Sequence, residues 1–180
     1  MVKPNPIVCI ITGPCGVGKS TIAKRLSKDL QNSVYIGVDE LRNMVRNGYA
    51  DPTKYNKEAD EQINLSMENA IDISINFLEK GFNVFIDDCL EREPQIKGYP
   101  ERLKKYNLHI FLLLPNKNII SERDGKRGKN KFMGKRALEL HDIFTKKVNK
   151  NNWHVLDTSN HSVNQTKKEI IEIMEKKKLR

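Results

Sequence analysis

Four short groups of residues have types and spacings suited to chemistry on phosphates. The first is Gly13-Pro14-Cys15-Gly16-Val17-Gly18-Lys19-Ser20, which fits G-x-x-x-x-G-K-[ST]. Its glycines let the backbone wrap so that N–H groups point inward around phosphates. The helix expected to open at Ser20-Thr21 adds positive potential at the same place. Lys19 is placed to reach terminal phosphates, and the Ser20 hydroxyl is a hard oxygen donor suited to Mg2+.

The second group is Asp39 and Arg42, in "GVDELR". An acid stands where an apolar run stops. A carboxylate there can take the proton of an attacking hydroxyl. Arg42 follows one helical turn later, on the same face if a helix starts at Asp39. Asp39 as a helix N-cap is the alternative, and the two roles are compatible. The third group, Asp87-Asp88, ends another apolar run. Asp87 is assigned to steady Arg42 or to hold a magnesium water; a turn or helix cap is the alternative. The fourth is "SERDGKRGKNKF", where Arg123 and Arg127 lie four apart and are expected on one helix face. A mobile arginine pair neutralises charge on a transferring phosphoryl group.

The assignments follow. Catalytic residues are Lys19, Asp39, Arg123 and Arg127. The ATP-binding set is Gly13, Cys15, Gly16, Val17, Gly18, Lys19, Ser20, Thr21 and Arg123. Arg42, Asp87 and Tyr49 contact the acceptor, and Ser20 with Asp87 serves Mg2+. The donor is read as ATP. Asn116-Lys117-Asn118 resembles the start of a guanine-reading Asn-Lys-x-Asp, but position 119 is Ile and lacks the carboxylate. The stretch 47–56, "NGYADPTKYN", is expected to shape the acceptor pocket. "DTSN" at 157–160 is expected to border the adenine, although a plain turn explains it equally.

These groups need elements to position them. Short apolar runs at Ile7–Thr12, Val34–Val38, Asn83–Ile86, Leu108–Leu114 and Trp153–Leu156 suit strands buried on both faces. Between Lys57 and Lys80 the residues Ile63, Met67, Ala70, Ile71, Ser74, Phe77 and Leu78 trace one helix face, stopped at Gly81. Helical patterns also cover 116–126 and 134–149, and an amphipathic helix follows Val163. Strands alternating with helices predict an α/β fold: a five-stranded parallel sheet with helices on both faces. Ligands then bind beyond the carboxyl ends of the strands, where all four groups fall.

The 180 residues suit one domain spanning 1–180, with a lid at about 116–134. No run reaches the roughly 18 apolar residues of a membrane helix, and the N-terminus reads as a first strand. A cytoplasmic protein without membrane partners is expected. The three cysteines fit neither a zinc site nor a disulfide framework. The net charge of +9 is uneven: residues 1–116 are neutral, whereas 117–150 carry a net +7. Such a segment attracts phosphates on nucleotides or nucleic acids.

With these motifs the chain resembles the small P-loop kinases. It is most similar to the group holding polynucleotide 5′-hydroxyl kinases, chloramphenicol phosphotransferases and zeta-toxin-like kinases. The likeness runs over almost the whole chain, though short motifs carry it. It implies an Asp-x-x-Arg in which Asp39 is the base and Arg42 contacts the acceptor. It implies a lid with Arg123, Arg127, Gly128 and Lys129, and an Asp87 that supports the arginine. It implies a P-loop kinase fold and ATP-dependent phosphorylation of a hydroxyl. Many relatives carry a Thr/Asn-type pair where this chain has Asp88-Cys89. No guanylate-, adenylate- or shikimate-type acceptor signature is evident. A small-molecule acceptor is favoured, because a domain of this size offers little surface; a nucleic-acid 5′ end is the alternative, because of the +7 segment. A non-catalytic ATP-binding regulator is the alternative of a different class.

Overall fold

The computed structural model describes residues 5–128 and 132–176. Lys129 and Lys131 of the basic lid segment lie outside the described residues. Five parallel strands form one sheet in the order β2-β3-β1-β4-β5: β1 Ile7–Thr12, β2 Ser33–Gly37, β3 Asn83–Asp87, β4 Asn107–Leu113 and β5 His154–Leu156. The helices are α1 Lys19–Asp29, α2 Val38–Arg42, α3 Lys57–Glu79, α4 Glu93–Leu103, α5 Lys117–Gly125, α6 Lys135–Thr145 and α7 Val163–Lys176.

Strand β1 shows why the runs are continuously apolar. Every one of its residues is buried. Ile7, Cys9 and Ile11 pack into one core layer with α1, α6 and α7. Val8 and Ile10 pack into the opposite layer with α3 and α4. Successive side chains of a strand point to opposite faces, so a sheet covered twice needs apolar residues at every position. The expected fold is the observed one, and strand boundaries differ by one residue at most. Helix α3 buries Ile63, Met67, Ala70, Ile71, Ser74 and Leu78. Phe77, expected on that face, is instead 37% exposed.

Helix α4 was not expected, because Pro94, Gly98 and Pro100 are helix-breaking types. Pro94 sits in the first turn, where its missing N–H costs nothing. Gly98 permits close packing: a Cβ there would stand 2.9 Å from the Met67 sulfur of α3. Among the described residues no helix is long and apolar enough to cross a membrane.

The carboxyl ends of β1, β2 and β3 lie side by side. Register aligns Ile11 with Asp87, and Asp87 with Gly37. Gly13, Asp39 and Asp87 therefore follow from adjacent strands onto one edge of the sheet.

Candidate active site

The loop between β1 and α1 is built by positive φ angles that side chains resist. Gly13 has φ +137°, and a Cβ there would stand 2.4 Å from the Leu113 carbonyl oxygen. Gly16 has φ +83° and lies against Asp124, whose Cβ would be 3.2 Å from an added methyl group. The Lys19 ammonium is folded back into this loop, donating to the Gly13 and Pro14 carbonyls, each at 3.0 Å. Burial disfavours its charge, yet Cys89, Cys15 and the Asp87 and Asp39 carboxylates raise its pKa above the ordinary value. Burial pushes the Cys89 thiol well up.

Asp87 sits at the carboxyl end of β3. It accepts a hydrogen bond from the Tyr35 hydroxyl at 3.4 Å, and the Ser20 hydroxyl is close enough to lower its pKa. Burial raises its pKa, against the pull of Lys19 and Ser20. A hydroxyl and a carboxylate beside the phosphate loop suit Mg2+, which is commonly held by one or two protein oxygens plus substrate phosphates. The described residues contain no cluster of three His, Cys, Asp or Glu side chains that would bind a metal without substrate.

Asp39 stands in the first turn of α2, whose N-cap is Gly37 and not Asp39. Its carboxylate is 79% exposed and accepts from Arg42 Nη2 at 2.7 Å. Arg42 Nε donates to the Tyr49 hydroxyl at 3.3 Å, so Tyr49 of the 47–56 loop is brought to the arginine. Asp87 was expected to steady Arg42 or to hold a magnesium water. The first of these is not seen: Asp39 and Tyr49 hold Arg42, while Asp87 accepts from Tyr35. The physical reason is reach. Arg42 is three residues beyond Asp39 on one helix face, whereas the Asp87 carboxyl accepts from Tyr35.

Arg123 and Arg127 do not share a helix face. Helix α5 ends at Gly125, and the Arg127 amide bonds the Asp124 carbonyl in a tight turn. Arg123 donates to the Thr158 carbonyl at 2.8 Å and reaches the His161 carbonyl at 3.5 Å, which joins it to the loop expected to border adenine. In that loop Asp157 accepts from the Ser159 amide at 2.9 Å. Arg127 pairs instead with Asp124 at 3.2 Å. Asn116, the tempting guanine reader, caps α5 through the Ile119 amide.

Sequence reasoning passed over Asp124, Glu91, Arg92 and Arg136. Asp124 is 1% exposed and accepts from the Met133 and Gly134 amides and from Arg127. Arg92 donates to the Pro52 and Lys54 carbonyls at 3.0 and 2.8 Å and pairs with Asp60. Glu91 pairs with Arg136 and accepts from Tyr55. The contacts of Glu91, Arg92 and Arg136 span 32 to 81 residues, so no local pattern marks them.

The profile of the AAA domain family matches residues 9–144, from β1 to the end of α6. The chain belongs to the AAA domain family. A guanylate kinase of Prochlorococcus marinus (strain MIT 9312) is 28% identical over 193 aligned positions, covering 96% of this chain and 99% of the relative. Among solved structures, a gluconokinase from Sinorhizobium meliloti 1021 superposes with TM-score 0.71 at 14% identity, covering 96% of this chain and 93% of the other. The tunicamycin resistance protein of Deinococcus radiodurans superposes with TM-score 0.67 at 19% identity, covering 94% and 95%. The fold is that of the P-loop kinases.

Proposed function

We propose that the chain is an ATP-dependent kinase that transfers the γ-phosphate to a hydroxyl, with a small-molecule acceptor favoured. The observation that carries this reading is the open Asp39 carboxylate. It is oriented by Arg42, and it lies close enough to Lys19 and Asp87 to influence both charges. A nucleotide-binding regulator needs no such base.

In this reading the phosphate-loop amides and Lys19 hold the donor phosphates. Lys19 exchanges its contacts with the Gly13 and Pro14 carbonyls for phosphate oxygens. Ser20 and Asp87 would hold Mg2+, which would supply positive charge to the donor phosphates when bound. Asp39 takes the acceptor's hydroxyl proton. Arg42 and Tyr49 orient the acceptor. Arg123 secures the nucleotide at the Thr158 loop. Arg127, with its side chain 33% exposed, is the lid cation available to the transferring group. The chain acts as one kinase domain with its lid at about 116–134.

Relatives named guanylate kinase favour a second reading, in which the acceptor is the phosphate of a nucleoside monophosphate. The test is γ-labelled ATP offered to wild type and Asp39→Asn with pooled small alcohols, a 5′-hydroxyl oligonucleotide and GMP. Transfer to an alcohol that collapses in Asp39→Asn supports the first reading. Transfer to GMP that survives in Asp39→Asn establishes the second. Loss of oligonucleotide labelling as salt rises would mark a polymer acceptor.

A further inference from the structure

The stretch 47–56 is tied down at both ends. Tyr49 is bound by Arg42, and the Pro52 and Lys54 carbonyls are bound by Arg92. At its far end the Tyr55 hydroxyl donates to Glu91. Arg136 Nη2 donates both to that Glu91 carboxylate and to the Tyr55 oxygen, the latter at 3.1 Å. The Arg92 and Arg136 guanidiniums also stand 5.0 and 5.4 Å from the centre of the Tyr55 ring. Glu91 and Arg136 are nearly covered, with side chains 11% and 14% exposed. Separating such a pair strands a charge in a dry place, so its members move together.

Arg136 belongs to the first turn of α6, and that turn is fastened to the lid helix α5. The Met133 and Gly134 amides donate to the same oxygen of Asp124 at 3.0 and 2.8 Å. The Arg136 amide closes the turn on the Met133 carbonyl at 3.1 Å. The other oxygen of Asp124 holds Arg127, and the Asp124 backbone abuts Gly16 of the phosphate loop. The opposite end of α6 returns to the same residue, since Lys147, just past the helix, donates to the Glu91 carbonyl at 2.7 Å. Helix α6 is therefore pinned on Glu91 at both ends and on Asp124 at its start.

We propose that Arg136 is a positioning residue that couples the 47–56 acceptor loop to the lid and phosphate loop, through Glu91 on one side and Asp124 on the other. The proposal rests on the kinase reading above. Its physical content is a continuous set of contacts from exposed Tyr55, through the nearly covered Glu91–Arg136 pair and buried Asp124, to the backbone at Gly16. A nucleotide that displaces Asp124 must carry α6 with it, and α6 carries Tyr55. The chemical purpose is to keep the γ-phosphate from reacting until the acceptor side is ordered.

The test is amide hydrogen exchange with and without the Mg2+ complex of the β,γ-imido analogue of ATP, on wild type, Arg136→Met and Tyr55→Phe. Tyr55→Phe keeps the ring on an exposed loop and removes one hydroxyl, so it guards against a folding failure in Arg136→Met. In wild type the analogue is expected to slow exchange both in the described lid residues 116–128 and in residues 47–56. Both variants are expected to bind the analogue within about threefold of wild type and to keep lid protection. Their analogue-induced slowing at 47–56 is expected to fall at least about fivefold. A purely structural staple would raise exchange at 47–56 with and without analogue alike and leave the ratio unchanged; that result overturns the coupling. So does a wild type that protects the lid but not 47–56. Failure of the wild type to bind the analogue overturns the kinase reading, and the coupling with it.

Discussion

Arg42 reaches back across one turn of α2 and donates Nη2 to the Asp39 carboxylate at 2.7 Å, with Tyr49 steadying its Nε from the acceptor loop. The guanidinium is mostly covered, whereas the carboxylate is open. One oxygen of Asp39 is therefore oriented by Arg42, and in the proposed mechanism the other takes the acceptor's proton. Asp39→Asn keeps the shape and removes the proposed base. Its kcat is expected to fall by about 10²- to 10⁴-fold, the usual worth of a positioned general base. ATP affinity, measured separately by titration, should hold. A kcat within threefold of wild type removes Asp39 from the mechanism.

Arg42→Lys tests the orientation itself. A lysine offers a point charge and cannot hold Asp39 and Tyr49 with a planar fork. The expected result is a loss of about tenfold or more in kcat/KM for the acceptor. Tyr49→Phe deletes one hydrogen bond worth about 1 kcal/mol, so a loss of about fivefold is expected. Steady-state kinetics on both variants checks the order. An Arg42→Lys enzyme less impaired than Tyr49→Phe would assign the acceptor contact to Tyr49 alone.

The sheet and its motifs were legible because they are local. Ile7–Thr12, the phosphate loop and the Asp39–Arg42 spacing are each contained in a few residues, and a strand covered twice is apolar throughout. Helix α4 was hidden because Pro94 and Gly98 are tolerated only through position, Pro94 in the first turn and Gly98 against Met67, while Pro100 lies inside the helix. The Arg123–Arg127 reading went astray at a helix end. A four-residue spacing means a shared face only while the helix continues, and α5 stops at Gly125. The Tyr55–Glu91–Arg136 group left no trace, because charged residues 36 to 81 positions apart look like ordinary surface until the fold gathers them.

Gly16→Ala probes the contact between phosphate loop and lid. The residue adopts φ +83°, which costs an L-residue on the order of 1–2 kcal/mol. The added methyl group would also press on Asp124 at 3.2 Å, and that contact is side-chain base and backbone, which cannot swing away. ATP binding is expected to weaken by about tenfold or more, since 1.4 kcal/mol is tenfold in affinity. Calorimetric titration with the imido analogue measures it. Unchanged affinity would show that the loop relaxes and that the close approach of Asp124 carries no energy.

Asp88 gives a prediction in pH. It is 6% exposed and receives hydrogen bonds from the Tyr99 hydroxyl at 3.0 Å, the Cys89 amide at 2.7 Å and Gln95 Nε2 at 3.2 Å. Burial nevertheless wins and pushes its pKa from 3.8 to about 6. The folded state thus holds a proton that the unfolded chain releases near pH 4. Asp88 stabilises the fold most below that pH, and the contribution is lost as pH rises through 6. The rise from 3.8 to about 6 corresponds to about 3 kcal/mol. Asp88→Asn stays neutral at every pH, so it abolishes this dependence. Its amide faces the Gln95 donor and adds a cost, but one that does not vary with pH. Between pH 4 and pH 8 the stability of wild type relative to Asp88→Asn is expected to drop by on the order of 3 kcal/mol. Urea denaturation at both pH values measures the two curves. If they stay parallel, Asp88 ionises in the fold as it does in the unfolded chain, and the buried proton beside Asp87 does not exist.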